Sequence, residues 1–213
     1  YILFTLFYCL AFNHGLVGQK KEKIKYKADE LEYLKIKKDQ VRKLKYNVEF
    51  VQGQTTIKCD SAYYFNKKKI MEAYGNVIIT DEDSLLITAN KLIYNGNNKI
   101  ADLTGNVRYL KNNNILETNY LIYDLNKKIG SFKEKGKLFN DKNILTSDYG
   151  KFYSDRNYSE FNKNVELVSP EYTLLSDTLE YNSNTKIAYT FGPTTIITKD
   201  STILNAKGGE FIT

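Results

Sequence analysis

One histidine, His14, and two cysteines, Cys9 and Cys59, are all the imidazole and thiol chemistry in this sequence of 213 residues. A Ser/His/Asp or Cys/His nucleophile system needs an imidazole to hold and move a proton beside the nucleophile. A structural zinc site needs several converging Cys or His ligands. His14 and Cys9 both fall within residues 1–18, which read as a removable leader, so the rest of the chain keeps Cys59 alone. It can build neither system, and it has no second thiol for an internal disulfide. No glycine-rich loop ending in Lys-Ser/Thr is present to cradle a nucleotide phosphate.

Carboxylates are the remaining candidates, and those that stand out do so by regularity rather than by pairing. Asp29, Asp60, Asn90, Asn119, Asp148, Asp177 and Lys207 follow one another at steps of 31, 30, 29, 29, 29 and 30 residues. Acid/base catalysis needs groups converging on one reacting atom. Acidic and amide groups strung thirty residues apart, each in the same local setting, read instead as structural. The expectation is therefore no enzyme activity, no cofactor and no metal.

The elements that position this series are a repeat. Each member follows a small residue and precedes an aromatic four positions on: Ala28 with Tyr33, Cys59 with Tyr64, Ala89 with Tyr94, Thr118 with Tyr123. Ser147 with Phe152, Ser176 with Tyr181 and Ala206 with Phe211 continue it. A fixed period near thirty signals stacked supersecondary units, each covered by its neighbours. Cys59 fills a small-residue slot and is expected to be a buried structural thiol. In residues 85–114 one unit reads as two strands of about ten residues, separated by Asn95-Gly96-Asn97-Asn98 and closed by Lys111-Asn112-Asn113-Asn114. β-branched and aromatic residues dominate, and no helical period survives the Asn/Gly breaks.

Within the first strand of a unit the apolar positions change parity at the Asp/Asn. Ile57 and Cys59 precede it and Ala62 and Tyr64 follow it; Ile87, Ala89, Leu92 and Tyr94 repeat the pattern. A regular strand keeps one parity per face, so the strand must bulge or turn a corner there. The second strand carries Gly75-Asn76-Val77 and Gly105-Asn106-Val107, with Asn47-Val48 and Asn164-Val165 as close copies. Glycine at that place predicts a second bend or a close backbone approach.

Tyr1 to Phe12 is an uncharged apolar run. It is too short to span a bilayer core of ~30 Å, and it fits the apolar region of a secretory signal peptide cleaved near Gly18 or Gln19. A buried first strand is the other reading. The domain organisation is then a leader over residues 1–18, cut short at its start, and one repeat domain over 19–213 that is expected to continue beyond 213. Thirty-one Lys and Arg against 25 Asp and Glu leave a net charge of +6. The sign suits anionic groups such as phosphates, but the lysines are scattered through turns as a solvated surface. No nucleic-acid partner is expected.

The order apolar, small, Asp/Asn, aromatic, followed by Gly-Asn-Val in the second strand, resembles the OstA-like family over roughly residues 24–213, most closely at 57–80 and 87–110. The Asn/Lys/Tyr-rich composition is similar to its Bacteroidetes branch. The resemblance implies an all-β, open, twisted antiparallel β-jellyroll of about seven repeats, its two sheets meeting in a V with acyl chains between them. One strand per sheet per unit would advance ~4.8 Å, giving a slot of roughly 30 Å. The implied function is non-enzymatic carriage of lipopolysaccharide across the periplasm to the outer membrane, with energy from an ATP-driven extractor elsewhere. A fourteen-carbon chain resists entering water by roughly 10 kcal/mol, at ~0.8 kcal/mol per CH₂, so a continuous apolar track is what such a carrier needs.

The implied partners are the acyl chains and phosphates of lipid A, other β-jellyroll proteins of the same path joined edge to edge, and a second copy of this chain. The location is the periplasm, with outer-membrane association allowed. The pattern fits both the bridge protein of that system and the N-terminal domain of its translocon. Inward parity gives the expected groove lining: Val77, Ile79, Val107 and Tyr109 from second strands, with Ile87, Leu92, Tyr94, Leu121, Tyr123, Leu179 and Tyr181 from first strands. A closed core made of the same residues is the competing reading. The competing function is a structural, adhesin-like β-solenoid that stacks end to end.

Overall fold

The computed structural model describes residues 22–36, 39–81 and 84–212. The leader assigned to residues 1–18, with His14 and Cys9, lies outside them. Among the described residues there are fourteen strands: β1 (Lys25–Lys27), β2 (Glu30–Ile36), β3 (Asp39–Gln52), β4 (Thr55–Phe65), β5 (Ile70–Asp81), β6 (Leu85–Asn95) and β7 (Ile100–Lys111). They continue as β8 (Asn114–Asp124), β9 (Ile129–Asn140), β10 (Asn143–Tyr153), β11 (Tyr158–Val168), β12 (Tyr172–Asn182), β13 (Ile187–Thr198) and β14 (Ile203–Ile212). From β3 onward each strand pairs antiparallel with its neighbours in sequence, so the chain is one long meander. β1 and β2 lie end to end along β3, the break falling at Ala28–Asp29 where later units only bend.

The all-β architecture of thirty-residue, two-stranded units is as expected, but the hydrogen bonding corrects one detail. There is a single sheet rather than two, because pairing resumes on both sides of every corner. Each strand thus contributes to both walls, and each unit advances the stack by two strands instead of one. Twelve inter-strand steps along the sheet give about 58 Å at ~4.8 Å per strand, roughly twice the length expected from one strand per wall.

The corners follow the parity change read from the sequence. Register shifts fall between Lys58 and Ser61, Thr88 and Lys91, Thr118 and Leu121, and Ser176 and Leu179. Ile57, Cys59, Ala62 and Tyr64 are consequently all buried on one side of a single strand. The backbone strain, however, lies on the partner strand. Gly75 and Asn76 have φ of 72° and 41°, and Gly105 and Asn106 have 79° and 48°. Left-handed backbone costs an L-residue roughly 1–2 kcal/mol, glycine excepted, and asparagine tolerates it well. This is the physical reason for the Gly-Asn dipeptide. The Asn then reaches across the corner to the recurring acid: Asn76 Nδ2 donates to Asp60 Oδ2 at 2.9 Å, Asn164 to Asp148 at 2.9 Å and Asn47 to Asp29 at 2.7 Å.

Turns along one long border of the sheet also stack. Gly96 N donates to Lys69 O, Leu125 N to Lys99 O, Ser154 N to Lys128 O and Ser183 N to Asn157 O, at 2.9–3.1 Å. The accepting residues have φ between 53° and 56°. The same turn is therefore repeated and bonded to its predecessor, which carries the strand ladder past the strand ends.

Candidate functional site

The folded sheet encloses one apolar interior that runs from Leu44 on β3 to Ala188 on β13. Every residue expected to line a groove faces it. Val77, Ile79, Ile87 and Leu92 are fully buried, as is Leu121, and none of the eleven residues exceeds 3% exposure. Tyr109 and Tyr123 meet tilted at 5.6 Å between ring centroids, and Phe152 joins them at 4.7 and 6.1 Å. Outward parity leaves Ile93 and Ile122 exposed beside the buried Leu92 and Leu121. The interior has two walls from one sheet, and in this conformation side chains fill the space between them.

What closes the interior was not legible beforehand. Gln52 ends β3 on one long border of the sheet, whereas Tyr94 and Gly96 belong to the opposite border, at the β6–β7 turn. In a flat sheet these borders are separated by the full strand length, ~37 Å for eleven residues. Here Tyr94 Oη donates to Gln52 Oε1 at 2.9 Å and Gln52 Nε2 donates to Gly96 O at 2.8 Å. Lys99 adds an ion pair to Glu22 at 2.7 Å. The sheet has curled until its borders meet, three strands out of step.

A second clasp repeats the first. Tyr181 Oη, near the end of β12, donates to Asn140 Oδ1 at 2.9 Å on β9, again three strands away. Lys186 Nζ bonds the same Asn140 oxygen at 2.6 Å and the Asp141 carboxylate at 2.5 Å. That ammonium holds the exposed Asp141 carboxyl below its ordinary range. Near the end of the described chain Tyr172 Oη reaches Ile212 O at 3.1 Å. At Tyr94 and Tyr181 the recurring aromatic thus serves two purposes, a ring in the core and a hydroxyl on the seam. Gln52 and Asn140 share only their place as the last residue of a strand, too faint a signal to pick out beforehand.

Between these clasps the seam opens. A small cavity of about 40 Å³ lies between the β7–β8 turn and the β10–β11 turn. Its inner wall includes Leu116, Phe132, Leu138, Phe152 and Phe161, with Tyr109 at its side. Tyr109 Oη is buried there near the Tyr123 and Ser154 hydroxyls yet makes no hydrogen bond of good geometry, while those two bond each other at 2.9 Å. Burial pushes the Tyr94 and Tyr109 hydroxyls well above the ordinary phenol range. Cys59, buried in its small-residue slot, has its thiol pushed up to about 12 by desolvation. A thiol held protonated at neutral pH is a poor nucleophile. No group of three or more His, Cys, Asp or Glu converges to hold a metal among the described residues.

The sequence matches the family model described as "OstA-like protein" over residues 20–177. No curated protein matches it. Among solved structures it is similar to the crystal structure of LptH, described as the LptA homologous periplasmic component of the conserved lipopolysaccharide transport device from Pseudomonas aeruginosa. The two share 8% identity over 90% of this chain and 96% of that one, with a TM-score of 0.22. So distant a similarity places no residue of this chain.

Proposed function

Since the chain belongs to the OstA-like family, a family of non-enzymatic transport proteins, we propose that it carries lipopolysaccharide across the periplasm with the acyl chains between the two walls of its folded sheet. The observation that carries this reading is the unbroken apolar interior from Leu44 to Ala188, threaded through eleven consecutive strands, β3 to β13. Lipid chains enter by displacing side chains and parting the borders at the seam. Polar clasps suit that role, because their hydrogen bonds exchange with water at little net cost when the borders separate. The eleven buried residues named above are the proposed lining, with Val77, Ile79, Ile87, Leu92 and Leu121 deepest.

Joining to further jellyroll units is part of the same proposal. β14 pairs only with β13 among the described residues, and it exposes Ile203, Leu204 and Ile212. A strand edge of this kind accepts another strand by backbone hydrogen bonding. It suits another jellyroll of the path or a second copy of this chain.

The test is site-specific photo-crosslinking in cells at neighbouring residues of opposite parity. Probes at Leu92 and Leu121 are expected to give lipopolysaccharide adducts, and probes at Ile93 and Ile122 none. Adducts at the outward pair alone, or at neither pair, refute carriage in the interior and favour the structural, end-to-end stacking role.

A further inference from the structure

The two outer faces of the folded sheet differ. On the wall that ends at the Gln52 border, the outward positions nearest the turns hold Leu86, Leu110, Ile115, Phe139, Ile144 and Val168. Each stands opposite the next across a strand pair, so six apolar side chains line up over six adjacent strands. Thr173, Ile197 and Ile203 continue the row to β14. Val168, Ile197 and Ile203 are 37%, 36% and 61% exposed. On the other wall the matching row is interrupted by Asn95, Asp124 and Asn182.

The stripe has a sequence signature. Where it crosses a strand, inward and outward residues are both apolar, as in Leu85-Leu86-Ile87, Ile115-Leu116 and Ile144-Leu145. Runs of this kind are typical of strands covered on both faces. The interior covers one face of these strands, and the other lies on the surface.

The next row towards the corner decides what the stripe fits. From β7 to β11 it carries Arg108, Glu117, Lys137, Thr146 and Glu166. Two cations and two anions cancel, which gives an anionic membrane or a polyanion no net attraction. Reversed upon itself, however, the row is complementary. A two-fold axis parallel to the strands, between β8 and β9, sets β8 of one chain over β9 of a second copy. Ile115 then lies over Phe139 of the second copy, Leu110 over its Ile144 and Leu86 over its Val168. In the flanking row Glu117 meets Lys137, Ile78 meets Leu175, and no like charges face each other. Centring the axis on β8 or β9 instead sets Glu117 or Lys137 against itself. Moving it between β7 and β8 sets Ile144 and Val168 over Thr80 and Thr56, which loses apolar contact.

Aligned sheets pack ~10 Å apart. Nine strands at ~4.8 Å and two rows ~7 Å apart cover roughly 600 Å² per chain. The total of ~1,200 Å² reaches the lower end of specific interfaces.

We propose that this stripe is the face on which two copies of the chain pack back to back, sheet on sheet, with β8 of each over β9 of the other. The inference goes beyond lipid carriage and does not rest on it. The two interiors stay separate, and the β14 edge of each copy stays free.

The test is analytical ultracentrifugation of the full chain, with circular dichroism to check folding. A dimer that dissociates in the micromolar range is expected. L110D/I144D places charges in the apolar centre of both copies and should weaken it about a hundredfold. Arg108 and Glu117 pair at 3.6 Å within one chain with both side chains about half exposed, so E117K disturbs the fold little. E117K alone and K137E alone each set two like-charged pairs across the axis and should weaken the dimer about tenfold or more. An equimolar mixture of these two variants should recover a 1:1 heterodimer. Neither a folding defect nor edge pairing produces that recovery, so it decides even if L110D/I144D does not fold. A chain that stays monomeric up to millimolar concentration overturns the proposal. So does a mixture that associates no better than its components, or open-ended oligomers that survive L110D/I144D. Monomers that float with phosphatidylglycerol vesicles and lose that binding in L110D/I144D also overturn it, in favour of a membrane surface.

Discussion

Replacing Tyr94 with phenylalanine removes one oxygen atom and tests how the interior is held shut. The hydroxyl donates to Gln52 Oε1 at 2.9 Å, and the Gln52 amide continues to Gly96 O at 2.8 Å. The ring is 2% exposed and Gln52 is 6% exposed, so water does not readily replace the lost donor. A net hydrogen bond contributes about 1 kcal/mol, and an acceptor left buried and unpaired costs about 1–3 kcal/mol. Y94F should therefore destabilise the chain by about 1–3 kcal/mol. For a chain of this length each kcal/mol lowers Tm by about 2–4 °C, so a drop of about 3–10 °C is expected in thermal unfolding followed by circular dichroism. Q52L should cost more than Y94F, since it also frees Gly96 O. In the double variant Y94F/Q52L the two losses should fall short of additive by about 1 kcal/mol, the coupling of a direct pair. A Tm change under about 1 °C for Y94F, or strict additivity in the cycle, would mean that the borders are held by ring packing and that the clasp is incidental.

Three other substitutions probe the rest of the argument. Gly75→Ala places a Cβ 2.3 Å from Asp60 Oδ2 at a φ of 72°. It should cost at least about 1–2 kcal/mol from the left-handed backbone alone, and a neutral result in urea unfolding would refute the corner geometry. Leu103→Ala, at a fully buried position on β7, should lose about 2–5 kcal/mol, whereas Ile93→Ala on the outer face should change stability by less than about 1 kcal/mol; equal effects would contradict the assigned parity. Burial lifts the Cys59 thiol from 9.0 to about 12, so the folded state holds this proton more tightly than the unfolded one. That contribution is complete below pH 9 and is lost as pH rises from 9 towards 12. Urea midpoints should fall over that window, less steeply in Cys59→Ser, and an unchanged pH slope in that variant would show the thiol to be wet.

The repeat, the strand pairs and the corner were readable because each leaves a local signature: parity slips at Asp60 and Asn90, and glycine precedes asparagine at 75 and 105. The inward series was readable for the same reason, since Val107, Tyr109, Leu121 and Tyr123 obey strand alternation on either side of a bend. The division into two sheets was misjudged, because a parity slip says that a strand turns but not whether its hydrogen bonds stop there. The seam was invisible for a different reason. Gln52 and Tyr94 are 42 residues apart, and their meeting depends on how far the whole sheet curls, a sum over many small twists that no short stretch of sequence records.

The meander has a temporal consequence. Each strand from β4 onward finds its first partner in the residues made just before it, so hairpins can form in the order in which the chain is synthesised. The clasps follow a slower schedule: Gln52 waits 42 residues for Tyr94, and Asn140 waits 41 for Tyr181. A growing chain therefore trails about three strands of paired but unsealed sheet, its apolar face open to whatever apolar molecule is nearby. In a chain that zips from its N-terminal end, the lag between pairing and sealing would set the length of the open stretch.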